Sequence, residues 1–316
     1  MEQGIKTRIC MISDTHTCPP NPPHLSSNPY RSPLPKADVL LHAGDITKVG
    51  LKIEYQSMLD MLTEADAEVK IVIAGNHDIT LDEDYYSKLG HLKHARAGVY
   101  EAENPAEIQE LWVGEKAKQA GIVYMDEGLK TFQLKNGAQF TLYASPYQPE
   151  FRRWAFAYER HIDRFNPSPP LSPFQAPNPV PSHPNVDIML THGPPLGILD
   201  RVHYGNQNAG CKNLLKAAAR ARPRLHVFGH IHEGYGAERL NWATKKSTRI
   251  EQDPETVLEN RSAYCDVSSA SVQPLRFGEE TLFVNASVVS LRYDPRNAPW
   301  VIDIDLPQAT GDSEAS

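Results

Sequence analysis

At five places in the chain a short apolar run ends in Asp, Asn or His, and these are the residues equipped for chemistry. Arg8–Ser13 leads into Asp14-Thr15-His16, Asp38–Ala43 into Gly44-Asp45, and Lys70–Ala74 into Gly75-Asn76-His77-Asp78. Further on, Val186–Leu190 leads into Thr191-His192-Gly193, and Leu225–Phe228 into Gly229-His230-Ile231-His232. Taken singly each is weak. An Asp-x-His pair recurs by chance, Asn76 suits a turn, and His192 before Gly193-Pro194-Pro195 suits a packed loop. Their recurrence carries the argument. Imidazole, carboxylate and amide donors without a thiolate suit Mn, Fe, Zn, Mg or Co and do not choose among them. Asp14 and His16 are two apart, as are His230 and His232. In an extended segment such residues point to the same side, so each pair faces one cavity.

Short apolar runs bounded by turn residues fit central strands covered on both faces. Open α/β sheets bind ligands beyond the carboxyl ends of such strands. Between them, helices are expected over 51–66, 105–120 and 208–222. Asn104 suits an N-cap with Pro105 at the first helical position, and the last helix ends before Pro223. Asn136-Gly137 marks the turn of a hairpin over 131–143. Two late strands follow at 281–286 and 300–306. This alternation predicts an α/β sandwich of two sheets, in one domain spanning 1–316. Asn166–Pro184 holds eight prolines and reads as a surface insertion. Asn241–Gly278 reads as an irregular excursion, and 307–316 as a disordered tail.

A net charge of −7 argues against a dedicated binder of long nucleic acids. Cys10, Cys18, Cys211 and Cys265 form no CxxC pair, which argues against a zinc ribbon or a secreted disulfide scaffold. No apolar core follows the polar Met1–Arg8, and no run approaches the length of a membrane span. These features predict a cytoplasmic protein without a membrane, with nuclear entry left open. Phe151–Tyr158 sets basic and aromatic residues side by side, which suits a nucleotide. A partly packed helix or loop is the preferred reading, because aromatics bury well. Arg220, Arg222 and Arg224 lie at a helix end, where cations suit the dipole.

In their order and spacing, the five motifs resemble those of the calcineurin-like metallophosphoesterase superfamily. Ser145–Pro149, Thr191–Gly197 and Gly229–Gly236 further resemble a branch of metallophosphoesterase-domain proteins known from animal brain, related to class III cyclic-nucleotide phosphodiesterases. The similarity runs from about Arg8 to Leu306. It implies a metallophosphoesterase-type two-sheet β-sandwich flanked by helices. It also implies two divalent metal ions, manganese foremost. The first would take Asp14, His16, Asp45 and His232, the second Asp45, Asn76, His192 and His230, with Asp45 bridging. His77 would contact the phosphate and assist the leaving group. The implied activity is hydrolysis of phosphate esters by a metal-bridging hydroxide, on small substrates such as nucleotides. A pathway-specific phosphomonoesterase and a catalytically silent metal-bound interaction module are the alternatives. Ile46-Thr47-Lys48 replaces the Asp-Arg-Gly continuation of the Ser/Thr phosphoprotein phosphatases, which argues against that branch. The oligomeric state is left open.

Overall fold

The computed structural model describes residues 4–22 and 27–309. Its main elements are β1 (Ile5–Ile12), β2 (Val39–His42), α1 (Lys52–Glu64), β3 (Val69–Val72), α2 (His91–Arg96), α3 (Pro105–Val113), α4 (Glu115–Gln119), β4 (Ile122–Tyr124), β5 (Gly128–Gln133) and β6 (Gln139–Ser145). There follow β7 (Ile188–Thr191), α5 (Lys212–Ala221), β8 (Leu225–Phe228), β9 (Gly236–Asn241), β10 (Ser247–Arg249), α6 (Pro254–Asn260), β11 (Ala263–Asp266), β12 (Glu280–Asn285) and β13 (Trp300–Leu306). One sheet has the order β11-β13-β1-β2-β3-β4, the other β10-β9-β12-β8-β7-β6-β5.

The layering follows from side-chain alternation along the strands. Val39 and Leu41 of β2 enter the core between the sheets, with Ile9, Met11, Leu142, Leu190, Val227 and Ile302. Leu40, between them, faces α1 and α3. Tyr55, Met58, Leu59 and Leu62 of α1 recur at helical spacing and pack there against Trp112. On the far side, Leu214, Ala217, Ala218 and Ala221 of α5 cover Met189, Phe228 and Phe283. Fully burying each large apolar side chain contributes roughly 1.5–3 kcal/mol. The result is an α/β fold of two central sheets with helices outside both.

Four stretches differ from the sequence expectation. The helix expected over 105–120 is two, because Gly114 adopts an extended backbone (φ −73°, ψ 178°) between α3 and α4. Residues 241–278 are not merely irregular. They contain β10, α6 and β11, and β11 joins the first sheet beside β13. The proline-rich stretch packs in part: Val180 is buried under α5, and the Tyr143 hydroxyl donates to Asn178 O at 2.9 Å. Of the expected tail, Pro307–Ala309 pairs with the hairpin turn, through Gln139 N to Pro307 O at 2.8 Å and Ala309 N to Gly137 O at 2.9 Å. Residues 310–316 lie outside the described residues.

β1, β2 and β3 run parallel, as do β7, β8 and β12. Val288 N donates to Ser13 O at 3.0 Å just past β1 and β12. The loops leaving both sheets therefore meet at one edge. Among the described residues no helix is long and apolar enough to cross a membrane.

Candidate metal centre

All seven residues implied as ligands converge at this edge. Asp14 and His16 follow β1, Asp45 follows β2 and Asn76 follows β3. His192 follows β7, and His230 and His232 follow β8. Ligand atoms of Asp14, His16 and His232 lie within 4.8 Å of one another, as do those of Asp45, His192 and His230. Asp45 Oδ2 lies 3.6 Å from His16 Nε2, while its Oδ1 lies 3.5 Å from His192 Nε2. Asn76 Oδ1 is 3.0 Å from His192 Nε2. The carboxylate of Asp45 thus faces both groups.

The convergence does not come from extended pairs. Asp14, His16, Asp45 and His230 have left-handed backbones, with φ of 53°, 42°, 51° and 65°. Tight left-handed turns, not same-side alternation, aim these residues, and His230 and His232 join different groups. Such conformations cost on the order of 1–3 kcal/mol each and persist where the surroundings over-determine them. Two glycines let the loops close in. A Cβ on Gly75 would collide with Asp45, and one on Gly229 with Asp14 and Ser13.

Backbone carbonyls set the imidazole tautomers. Because a carbonyl only accepts, Nδ1–H donates from His16 to Thr47 O (3.1 Å), from His192 to Ala43 O (2.9 Å) and from His232 to Ser290 O (3.1 Å). Each Nε2 lone pair is then directed to the centre, the arrangement typical of metal-binding histidines. His16 Nε2 is buried with no hydrogen-bond partner.

Burial would push the Asp14 carboxyl up, but the hydrogen bond and charge of His232 outweigh it and hold it well below the ordinary value. Asp45 goes the other way, raised well above it by burial and by the negative Asp14 and Asp78. Burial depresses His16, His192 and His230, favouring neutral imidazoles. Two clustered carboxyls and neutral imidazoles, one with an orphaned nitrogen, fit divalent cations. A bound cation offsets the carboxylate repulsion and uses the free lone pair.

His77 stands at the edge of the centre, part-buried, with a ring nitrogen within 4.8 Å of the ligand atoms of His16 and Asp45. Its backbone N–H donates to Asp45 Oδ1 at 2.7 Å, and its Nδ1–H donates to Lys48 O at 2.7 Å. Its ring meets His16 edge-on at 4.7 Å and stacks on Trp154 at 4.0 Å.

Several neighbours escaped sequence reasoning. Asp78 accepts from Ile46 N, Thr47 N, Gly75 N and the Thr47 hydroxyl at 2.7–3.1 Å. It ties the loops after β2 and β3 together. Its place in the Asn76 motif was the available signal. Tyr293 lies edge-on to His16 at 4.7 Å and to His232 at 5.5 Å, and nothing in its local sequence marks it. Within 151–158, Ala155 and Phe156 are buried, as the packed reading expects, while Phe151 stays 47% exposed beside His230.

The fold and site together define a phosphoesterase of the metal-dependent, two-sheet kind. The chain belongs to the calcineurin-like phosphoesterase family, whose model matches residues 7–234. It is 32% identical to metallophosphoesterase domain-containing protein 1 of Homo sapiens over 96% of this chain and 72% of that protein. A UPF0046 protein of Caenorhabditis elegans is 34% identical over 65% of this chain and 48% of its own length. The crystal structure of a phosphopantetheinyl hydrolase from Mycobacterium tuberculosis aligns with 99% of both chains at 15% identity and a TM-score of 0.44. Family membership makes this chain a metal-dependent phosphoesterase.

Proposed function

We propose that the protein hydrolyses phosphodiesters of small substrates, nucleotides among them, at a dinuclear centre. One group is Asp14, His16, Asp45 and His232, and the other is Asp45, Asn76, His192 and His230. The observation that carries this reading is Asp45, whose two oxygens face separate histidines at 3.6 and 3.5 Å. When bound, a pair of divalent ions, manganese foremost, would supply Lewis-acid charge and lower the pKa of a water. The chain's own residues do the rest. Carbonyl-held imidazoles keep their Nε2 atoms aimed inward. Asp78 fixes the spacing of the Asp45 and Asn76 loops. His77, tethered through Nδ1, keeps Nε2 for a hydrogen bond to the leaving oxygen. The full donor set favours an enzyme over a silent interaction module. Four free cysteines support a reducing, cytoplasmic setting.

Metal analysis after manganese reconstitution should approach two equivalents per chain, and Asp45→Asn should weaken both sites because it removes the shared charge. One equivalent with full activity would end the dinuclear reading. Rates on bis-p-nitrophenyl phosphate, p-nitrophenyl phosphate and cyclic nucleotides separate diesterase from monoesterase. No turnover on any of them would favour the interaction module.

A further inference from the structure

The hydrogen bond from Nδ1 to Lys48 O holds the His77 ring at one atom. A ring held at one atom can still swing about that bond, and a swing moves Nε2 away from the centre. Trp154 blocks it. The two rings stack with centroids 4.0 Å apart and planes 26° from parallel. The ammonium of Lys93, a residue of α2, lies 3.4 Å from the same indole centroid. Two groups so close to one ring centre must occupy opposite faces, so the indole is clamped between a cation and His77. The Lys93 ammonium also donates to Arg152 O at 3.3 Å, and it forms no ion pair among the described residues.

The loop carrying Trp154 is held in an unusual shape. Arg152, Arg153 and Phe156 all have left-handed backbones, with φ of 50°, 54° and 51°. Phe156 N donates to Asp82 Oδ2, and the Tyr85 hydroxyl donates to Arg153 O, both at 2.8 Å. Non-glycine residues keep such conformations only where the surroundings over-determine them. The beneficiary here is the placement of one indole face.

We infer that Trp154 is a positioning residue for the leaving-group step, fixing the His77 imidazole by stacking while Lys93 fixes Trp154 from behind. This rests on the reading of His77 as the partner of the leaving oxygen. In this role Trp154 acts through the His77 ring it stacks on. Misplacing a catalytic group by about an ångström costs on the order of 100-fold, and the loss falls where the leaving group most needs His77.

The test compares bis-p-nitrophenyl phosphate, whose leaving group departs unaided, with diphenyl phosphate, whose leaving group is more basic. Trp154→Ala, Trp154→Phe, His77→Ala and the His77→Ala/Trp154→Ala double variant are measured on both, with metal content alongside. Trp154→Ala should lose roughly 10–100-fold in kcat/KM on diphenyl phosphate and much less on the nitrophenyl ester. Trp154→Phe should recover most of that loss. In the His77→Ala background, removing Trp154 should cost little more. In the metal-free protein, the His77 ring protons should carry an upfield ring-current shift that Trp154→Ala abolishes and Trp154→Phe keeps. Equal losses on both esters for Trp154→Ala, with His77→Ala still selective, would overturn the inference alone. Equal losses for His77→Ala would remove the leaving-group reading and the inference with it.

Discussion

His192 is a buried imidazole and His77 a part-buried one, both beyond strand ends, and their surroundings predict opposite signatures. His192 Nε2 faces Asn76 and Asp45, inside the donor set, whereas His77 stands beside it on Trp154. His77→Ala should therefore cost little on bis-p-nitrophenyl phosphate, but on the order of 10²–10⁴-fold on a diester with a sugar-alcohol leaving group, with metal content unchanged. His192→Ala should damage both substrates together and lower the metal content. The measurement is kcat/KM for each pair with elemental analysis, and loss of metal from the His77 variant would make His77 a ligand. The seven residues that converge at the centre were legible because the chemistry restricts them to few types, each placed just after an apolar run. Trp154 and Tyr293 were not. An aromatic side chain acquires such a role only from what tertiary folding brings against its face, and locally it reads as core.

At the scale of elements, β2 and β8 were plain in the sequence because all four residues of each are buried. β11 was hidden because only Ala263 is fully buried in Ala263–Asp266, so its apolar signal is too short to separate from a loop. The proline-rich stretch divides along the same line. Residues 167–177 form no element and include no buried residue, whereas Val180 lies in the α5 core. The backbone carbonyl of Val180 accepts from the Arg220 guanidinium at 2.6 Å. Replacing 167–177 by a short Gly/Ser linker should leave hydrolysis of an aryl phosphate nearly intact. Val180→Ala should instead lower stability by on the order of 2 kcal/mol, read as a lower denaturant midpoint. Collapse of activity in the linker variant, with its fold retained, would show that this segment shapes the site.

At the scale of the molecule, the centre is a seam. Asp14, His16, Asp45 and Asn76 come from one sheet, and His192, His230 and His232 from the other. A cation held by both ties the sheets together, so metal binding adds to the free energy of unfolding. At a free metal concentration 100 times the Kd the gain is about 2.7 kcal/mol. The melting temperature should rise by on the order of 5 °C from the chelated to the loaded protein. An unchanged Tm at saturating metal would mean that loading does not engage both sheets. The antiparallel pairing of β1 with β13 has a consequence for how the protein is made. The ribosome releases the first strand long before the strand that covers its edge. A nascent chain that has just cleared His232 already carries all seven proposed donors. It still lacks Ser290, whose carbonyl orients His232, and its leading strand stands open to any partner with a free edge. Translation stalled between His232 and Ser290 should therefore yield a chain that carries the seven proposed donors, lacks the carbonyl that orients His232 and is prone to clump.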